Sequence, residues 1–210
     1  MHLVSNPIQD GGQWHMFINL VNKYGVVPQS EMPETFQSSK SMRMNRMITR
    51  KLREFSKNLR DAYKKGASLE ELRFIKTDML GIVYRLLTIH LGTPPEIFDW
   101  QVRDRKKNFH RFEGLTPKRF FLDHVGLDLK DYVCLINCPM SDKTYNQVYT
   151  VEYLGNVVGG EDIRYLNLPS KRLKETAIAS IKGDNPVWFG CDVGKHFHRK
   201  LGVMDMELFD

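Results

Sequence analysis

Three stretches of the sequence carry residue types that can do chemistry or bind. Near its start, "NPIQDGGQW" sets the pair Gly11 and Gly12 between Asp10 and Gln13. A glycine pair lets another backbone approach with no side chain in the way, and it serves equally as a tight turn before a helix. No glycine-rich phosphate motif with a following lysine is present, which excludes a phosphate cradle. Near the end, Cys191 lies beside Asp192, with His196 and His198 close by in sequence, the residue types of a thiol hydrolase. Cys191 sits in the apolar run "VWFGC" rather than at a helix N-terminus, however, and that setting predicts a buried, inert thiol. His196 and His198 share one side of an extended chain but lack a third ligand at suitable spacing, so no metal and no cofactor is expected. Cys134 and Cys138, spaced C-x3-C without a second pair, read as core and turn thiols. Three cysteines in all predict free thiols rather than a disulfide framework.

The third stretch is basic. Between Lys40 and Lys76 twelve Lys and Arg face four Asp and Glu, an excess larger than the net +6 of all 210 residues. Within it Arg43, Arg46, Arg50, Arg53, Lys57, Arg60 and Lys64 recur at steps of three and four. Met44, Ile48, Leu52, Phe55, Leu59 and Ala62 do the same on the opposite side, so the segment predicts an amphipathic helix with a basic back. Such a back is a solvated helix face, or it is a surface for nucleic acid. Few aromatics stand among the cations to stack bases, so binding would be sequence-independent and salt-sensitive.

The elements that must position these residues follow from periodicity and punctuation. Trp14, Phe17, Ile18 and Val21 predict a helix from Gln13 to Lys23, stopped at Gly25 and followed by the extended segment "VVPQSEMP". The basic helix runs from about 39 to 65. "SLEE" at Ser68 to Glu71 is a capping-box signature that starts a second helix from Leu69 to Leu91, closed by "GTPPE", and the two helices form an antiparallel pair. "FDWQVRD" and "FHRFEG" alternate like strands, and "LTPKRFFLDHVG" is a short helix capped by Thr116 with Pro117 at its first position. The runs 132–139, 147–154 and 185–194 predict strands, and 169–184 predicts an amphipathic helix. Hydrophobic content of 41% is ordinary for a globular core. No membrane span or secretory signal is evident, so a soluble, intracellular protein with no membrane partner is expected. Helices first and strands later, without βαβ alternation, give an α+β class.

Five segments in order, "NPIQDGGQW", "KYGVVPQSEMPE", "LGTPPEIFDW", "YTVEYLGNVVGG" and "PVWFGCDVGKHF", resemble the bleomycin hydrolase and aminopeptidase C family of papain-like cysteine peptidases. The resemblance runs through nearly the whole chain. It implies a partial papain-like fold, with residues 1–35 and 113–210 belonging to the core and residues 36–112 forming a helical, hook-like insertion. It also implies a cytoplasmic cysteine-type aminopeptidase acting on N-terminal residues of peptides and amide analogues, assembled as a homohexamer. In that family Gly11 and Gly12 correspond to the substrate-binding glycine pair, whose backbone bonds an extended peptide.

The family's chemistry needs a Cys-His-Asn constellation in which a thiolate attacks, an imidazole moves the proton and the third residue orients the imidazole. No Cys-Trp dipeptide occurs in the 210 residues, and no matching His or Asn motif is found. The chain therefore reads as an internal fragment without catalytic residues, expected to be inactive alone. The alternative is a noncatalytic module that joins other subunits or binds nucleic acid. A piece of such a fold is also expected to expose Trp188 and Phe189.

Overall fold

The structure, a computed structural model, describes residues 7–8, 11–191, 193–194 and 196–207. Two compact units divide it. One runs to Tyr132 and takes back Thr150–Ile163, while the other holds Val133–Tyr149 and the described residues from Arg164 onward.

In the first unit, helix α1 (Trp14–Tyr24) follows Gln13, whose extended backbone ends the lead-in and whose carbonyl accepts from the Met16 and Phe17 amides at 3.0 and 3.3 Å. Ile18 and Val21 are buried with Leu129, and Trp14, Val26 and Phe121 pack around them. The helix stops where the sequence predicts. Gly25 has φ +79, and a Cβ there would lie 2.2 Å from the Pro117 carbonyl carbon, so only glycine fits.

A single-turn helix α2 (Phe36–Ser39), not anticipated from the sequence, precedes α3 (Met42–Lys64); Thr35 caps it with a reciprocal Ser38 bond. Met44, Ile48 and Phe55 are the buried residues of α3, on the apolar side that its spacing defines. Helix α4 (Leu69–Leu91) opens on the expected capping box. The Glu71 amide donates to Ser68 Oγ at 3.2 Å, and the Glu71 carboxylate accepts from the Ser68 amide at 2.7 Å. Helix α3 packs against α4, and α2 also touches α4, where Thr35 Oγ1 donates to the His90 carbonyl at 2.9 Å.

Strands β1 (Phe98–Arg103) and β2 (Phe109–Leu115) form an antiparallel hairpin with a bulge between Phe98 and Trp100. The short helix α5 (Pro117–Phe120) begins as expected, with Thr116 accepting from the Arg119 amide and Pro117 at its first position. It continues as a π turn through Val125, which ends on Gly126 in the left-handed region. Phe98, Leu115 and Phe120 form a second core, flanked by Trp100 and Phe112. No helix among the described residues is long and apolar enough to cross a membrane.

The second unit departs from the sequence expectations. The strand predicted over 132–139 is only β3 (Leu135–Ile136), and that over 147–154 only β4 (Val148–Tyr149). Both pair with β5 (Tyr165–Asn167), β3 in parallel and β4 antiparallel. The buried side chain of Asn167 explains the short ladder. It accepts from the Cys138 amide at 2.8 Å and donates to the Cys138 and Lys143 carbonyls at 3.1 and 3.0 Å, taking over groups a longer ladder would use. Helix α6 (Ser170–Lys182) lies within its predicted bounds. Residues 185–194 hold no strand among those described, because no neighbouring strand supplies the hydrogen bonds. Strands β6 (Phe197–His198) and β7 (Val203–Met204) close the described chain as a short antiparallel pair.

Candidate functional site

Gly11 and Gly12 are exposed and lead directly into the first turn of α1. Neither has φ in the left-handed region. Among the described residues nothing lies within 4 Å of where a Gly11 Cβ would be, and only Met16 Sδ, at 3.9 Å, approaches a Gly12 Cβ. Among the described residues neither a positive φ nor packing accounts for glycine at these positions. The absent side chains leave the backbone of the pair uncovered by the described residues. Asp10, which flanks the pair, lies outside the described residues.

The helix behind the pair is pinned by a polar anchor that the sequence reading missed. Asn19 is 5% exposed in the middle of α1. Its amide donates to the Glu161 carbonyl and its side-chain oxygen accepts from the Glu161 amide, both at 2.9 Å. Gly160 makes this approach feasible, since a Cβ on it would lie 2.8 Å from Asn19 Cγ and Nδ2. About one turn nearer the start of the helix, Asn156 Nδ2 donates to the Met16 carbonyl at 3.2 Å. The available signal was the polar Asn19 beside Ile18 on an apolar face, a pattern without a partner in the sequence nearby.

Cys191 contradicts its expectation. It is exposed, because the run that carries it is not a strand and is not covered by one. Trp188 and Phe189 in the same run are 74% and 77% exposed, as the sequence implied. The constellation suggested by proximity in sequence does not form among the described residues. His198 Nδ1 accepts from the Leu201 amide at 3.3 Å within the β6–β7 turn, and the His196 backbone bonds Val193 and Asp205. Asp192 lies outside the described residues. Cys134 and Cys138 are half-buried, and burial pushes the Cys134 thiol above its ordinary range, away from the nucleophilic thiolate. No group of three His, Cys, Asp or Glu side chains among the described residues is placed to hold a metal ion.

Arg43, Arg46, Arg50, Arg53, Lys57, Arg60 and Lys64 are all exposed along α3, opposite the buried Met44, Ile48 and Phe55. Lys57 is bonded to Asp61 at 2.8 Å, which raises its pKa above the usual lysine value and offsets part of the positive face.

Comparison with known proteins decides the family. The model of the Peptidase C1-like family matches residues 1–210. The chain belongs to the Peptidase C1-like family. It is 45% identical to bleomycin hydrolase of Gallus gallus over 210 residues, covering 99% of this chain and 46% of that protein. It is also 45% identical to aminopeptidase C of Listeria innocua over 207 residues, covering 99% of this chain and again 46% of the relative. The crystal structure of PepW from Lactobacillus rhamnosis superposes with a TM-score of 0.90 at 46% identity, over 94% of this chain and 44% of that one. The fold is thus the α+β arrangement of papain-like C1 peptidases, in part. This Peptidase C1-like chain spans about half the length of the curated relatives it matches.

Proposed function

We propose that these residues form part of a cytoplasmic cysteine-type aminopeptidase and supply one wall of its peptide-binding cleft. The observation that carries the reading is the match through the whole chain to bleomycin hydrolase and aminopeptidase C at about 45% identity. The open backbone at Gly11 and Gly12 supports it locally, because an extended peptide bonds to exposed main-chain groups without needing a side-chain partner. In this reading 1–35 and 113–210 build the papain-like core and 36–112 is the helical insertion.

The hydrolysis itself follows from nucleophilic catalysis. A thiolate attacks the carbonyl carbon of the N-terminal residue and the amine leaves with a proton from the imidazolium. Water activated by the imidazole then cleaves the thioester. The 210 residues hold no Cys-Trp motif, and in this reading none of the three catalytic groups is assigned to them. The purified 210-residue chain is expected to show no turnover of an aminoacyl amide. Turnover abolished by Cys191→Ala would overturn this assignment. Binding is the positive test: titration with tetra-alanine should shift the Gly12 amide resonance, and Gly12→Pro, which removes that N–H, should weaken binding.

The working enzyme is proposed to be a homo-oligomer, a hexamer by likeness to the family, built with help from the α2–α4 segment. Sedimentation of the protein at several concentrations checks this. A second reading, nonspecific nucleic-acid binding, is favoured by one observation, the seven exposed cations along α3. Affinity for single-stranded oligonucleotide should then fall steeply between 50 and 200 mM salt. Unchanged affinity in salt, or after charge reversal at Arg43, Arg50 and Lys57, removes that reading.

A further inference from the structure

Asparagine is a poor residue for a helix interior and is rarely left buried without partners, so Asn19 calls for a specific explanation. Its two side-chain atoms are bonded to both backbone groups of a single residue, Glu161, at 2.9 Å each. This reciprocal arrangement fixes the orientation of the helix as well as its position. The loop it grips is shaped for the purpose. Gly159 lies in the left-handed region with φ +78, the Gly160 amide donates to the Val157 carbonyl at 3.0 Å, and Gly160 has no Cβ to block Asn19. Asn156 reaches the Met16 carbonyl, one turn nearer the start of α1. The loop therefore lies across the first two turns of the helix that Gly11 and Gly12 lead into.

We propose that Asn19 is a positioning residue for peptide binding: clamped to Glu161 across Gly160, it fixes α1 and thereby the register of the Gly11 and Gly12 backbone. The inference rests on the reading of that pair as a peptide-binding element. Asn19 itself touches no substrate. It acts by removing freedom from the chain that does, so that a peptide meets an ordered backbone.

The substitution Asn19→Asp tests this through pH. An ionised Asp still accepts from the Glu161 amide but presents a second anionic oxygen to the Glu161 carbonyl. A protonated Asp restores both bonds, with its hydroxyl donating to that carbonyl. Burial and the facing carbonyl both favour the protonated form, so it is regained on mild acidification. His15 on α1 and Glu161 itself are ionisable residues of the two clamped segments, and the unsubstituted chain measured at the same pH values subtracts anything they add.

The experiment is residue-resolved amide exchange and chemical shift on the 210-residue chain at pH 8 and pH 5. At pH 8, Asn19→Asp should lower protection of the Met16 and Phe17 amides about tenfold, as expected for a buried carbonyl that loses its donor. It should also move the Gly12 amide resonance and weaken tetra-alanine binding by a similar factor. At pH 5 all three should return toward the values of the unsubstituted chain, while α4 amides stay unchanged throughout. Asn156→Ala, at a more exposed position, should give a smaller effect at the same amides with no pH reversal. It keeps the test decisive if Asn19→Asp unfolds at pH 8. Unchanged amides in both variants, or changes in Asn19→Asp that persist at pH 5, overturn the proposal. If tetra-alanine leaves the Gly12 resonance of the unsubstituted chain unmoved, the peptide-binding reading fails instead, whatever the exchange data show for Asn19.

Discussion

The β1–β2 hairpin with α5, and the α3–α4 pair, are held by different means. Around the hairpin, Phe98, Leu115 and Phe120 are buried together, and the Trp100 ring meets Phe120 edge-on at 4.9 Å and stacks on Phe112 at 5.5 Å. Helix α4 is longer than either strand yet has no buried residue among those described; its apolar row from Leu72 to Leu86 is half-buried against α3, and Phe74 is 70% exposed. Hydrophobic periodicity says which face of a helix is apolar. It does not say how much of that face is covered. The hairpin is stabilised by packing between residues distant in sequence, and α4 by its own termini, by α3 and by the single turn of α2.

Truncating one side chain in each region should separate the two regimes most widely. Phe120→Ala removes the ring on which Phe98 and Trp100 converge, and should destabilise the fold by about 3 to 5 kcal/mol in urea titrations. Ile82→Ala on α4 removes a half-buried side chain that leaves no closed cavity, so its effect should be under about 1.5 kcal/mol. Equal losses would mean that α4 is covered in solution by something else.

A glycine packed against α5 and a glycine in the α3–α4 turn sharpen the contrast. Gly25 and Gly66 both have φ in the left-handed region, at +79 and +91. At Gly25 the Pro117 backbone occupies the place of a Cβ, whereas at Gly66 nothing lies within 4 Å. Gly66→Ala should cost about 1 kcal/mol, the conformational penalty alone. Gly25→Ala adds a backbone collision and should cost about 2 to 3 kcal/mol, with a lower melting temperature. A smaller local effect is expected at the start of α4. Ser68→Ala deletes the cap and should cost about 1 kcal/mol, read as fraying of the Glu70 and Glu71 amides while the hairpin is untouched.

How far the sequence could be read divides along the same line. The Ser68 capping box, the stop at Gly25 and the Thr116–Pro117 start are written in neighbouring residues, and all three stand in the structure. The strand expected over 132–139 shrinks to two residues because the Asn167 side chain, 29 positions from Cys138, takes the place of ladder bonds. Cys191 was expected to be buried from the apolar letters around it, but an apolar run is covered only if another element comes to lie on it. For the candidate site, Gly11 and Gly12 are legible as residue types. Asn19 is not, since its partner is 142 positions away and no local pattern encodes that meeting.

Acid should draw the finest distinction between the regions. In the hairpin, the Gly114 amide at 3.0 Å, with Arg111 adding to it, holds the Asp99 carboxyl below the usual range; the Asn108 side-chain amide, with the Asn108 backbone and His110, does the same for Asp104. On α3 the Lys57 ammonium lowers Asp61. A carboxyl depressed in the folded state contributes stability that is present above its unfolded value, about 3.9 for Asp. That contribution is lost as pH falls through the lower folded value. Both regions should therefore loosen below about pH 4, but for different reasons. The Lys57–Asp61 pair is an exposed ion pair that salt screens, while the leading contribution at Asp99 is a fixed backbone amide. In 0.5 M NaCl the acid response at Asp61 should largely vanish, and the Gly114 amide resonance should still follow the Asp99 titration. Asp99→Asn, which keeps an acceptor but no charge, should abolish that shift and leave the hairpin intact at neutral pH. A Gly114 response that salt removes as completely as the Asp61 response would show that Arg111, rather than the Gly114 amide, governs Asp99.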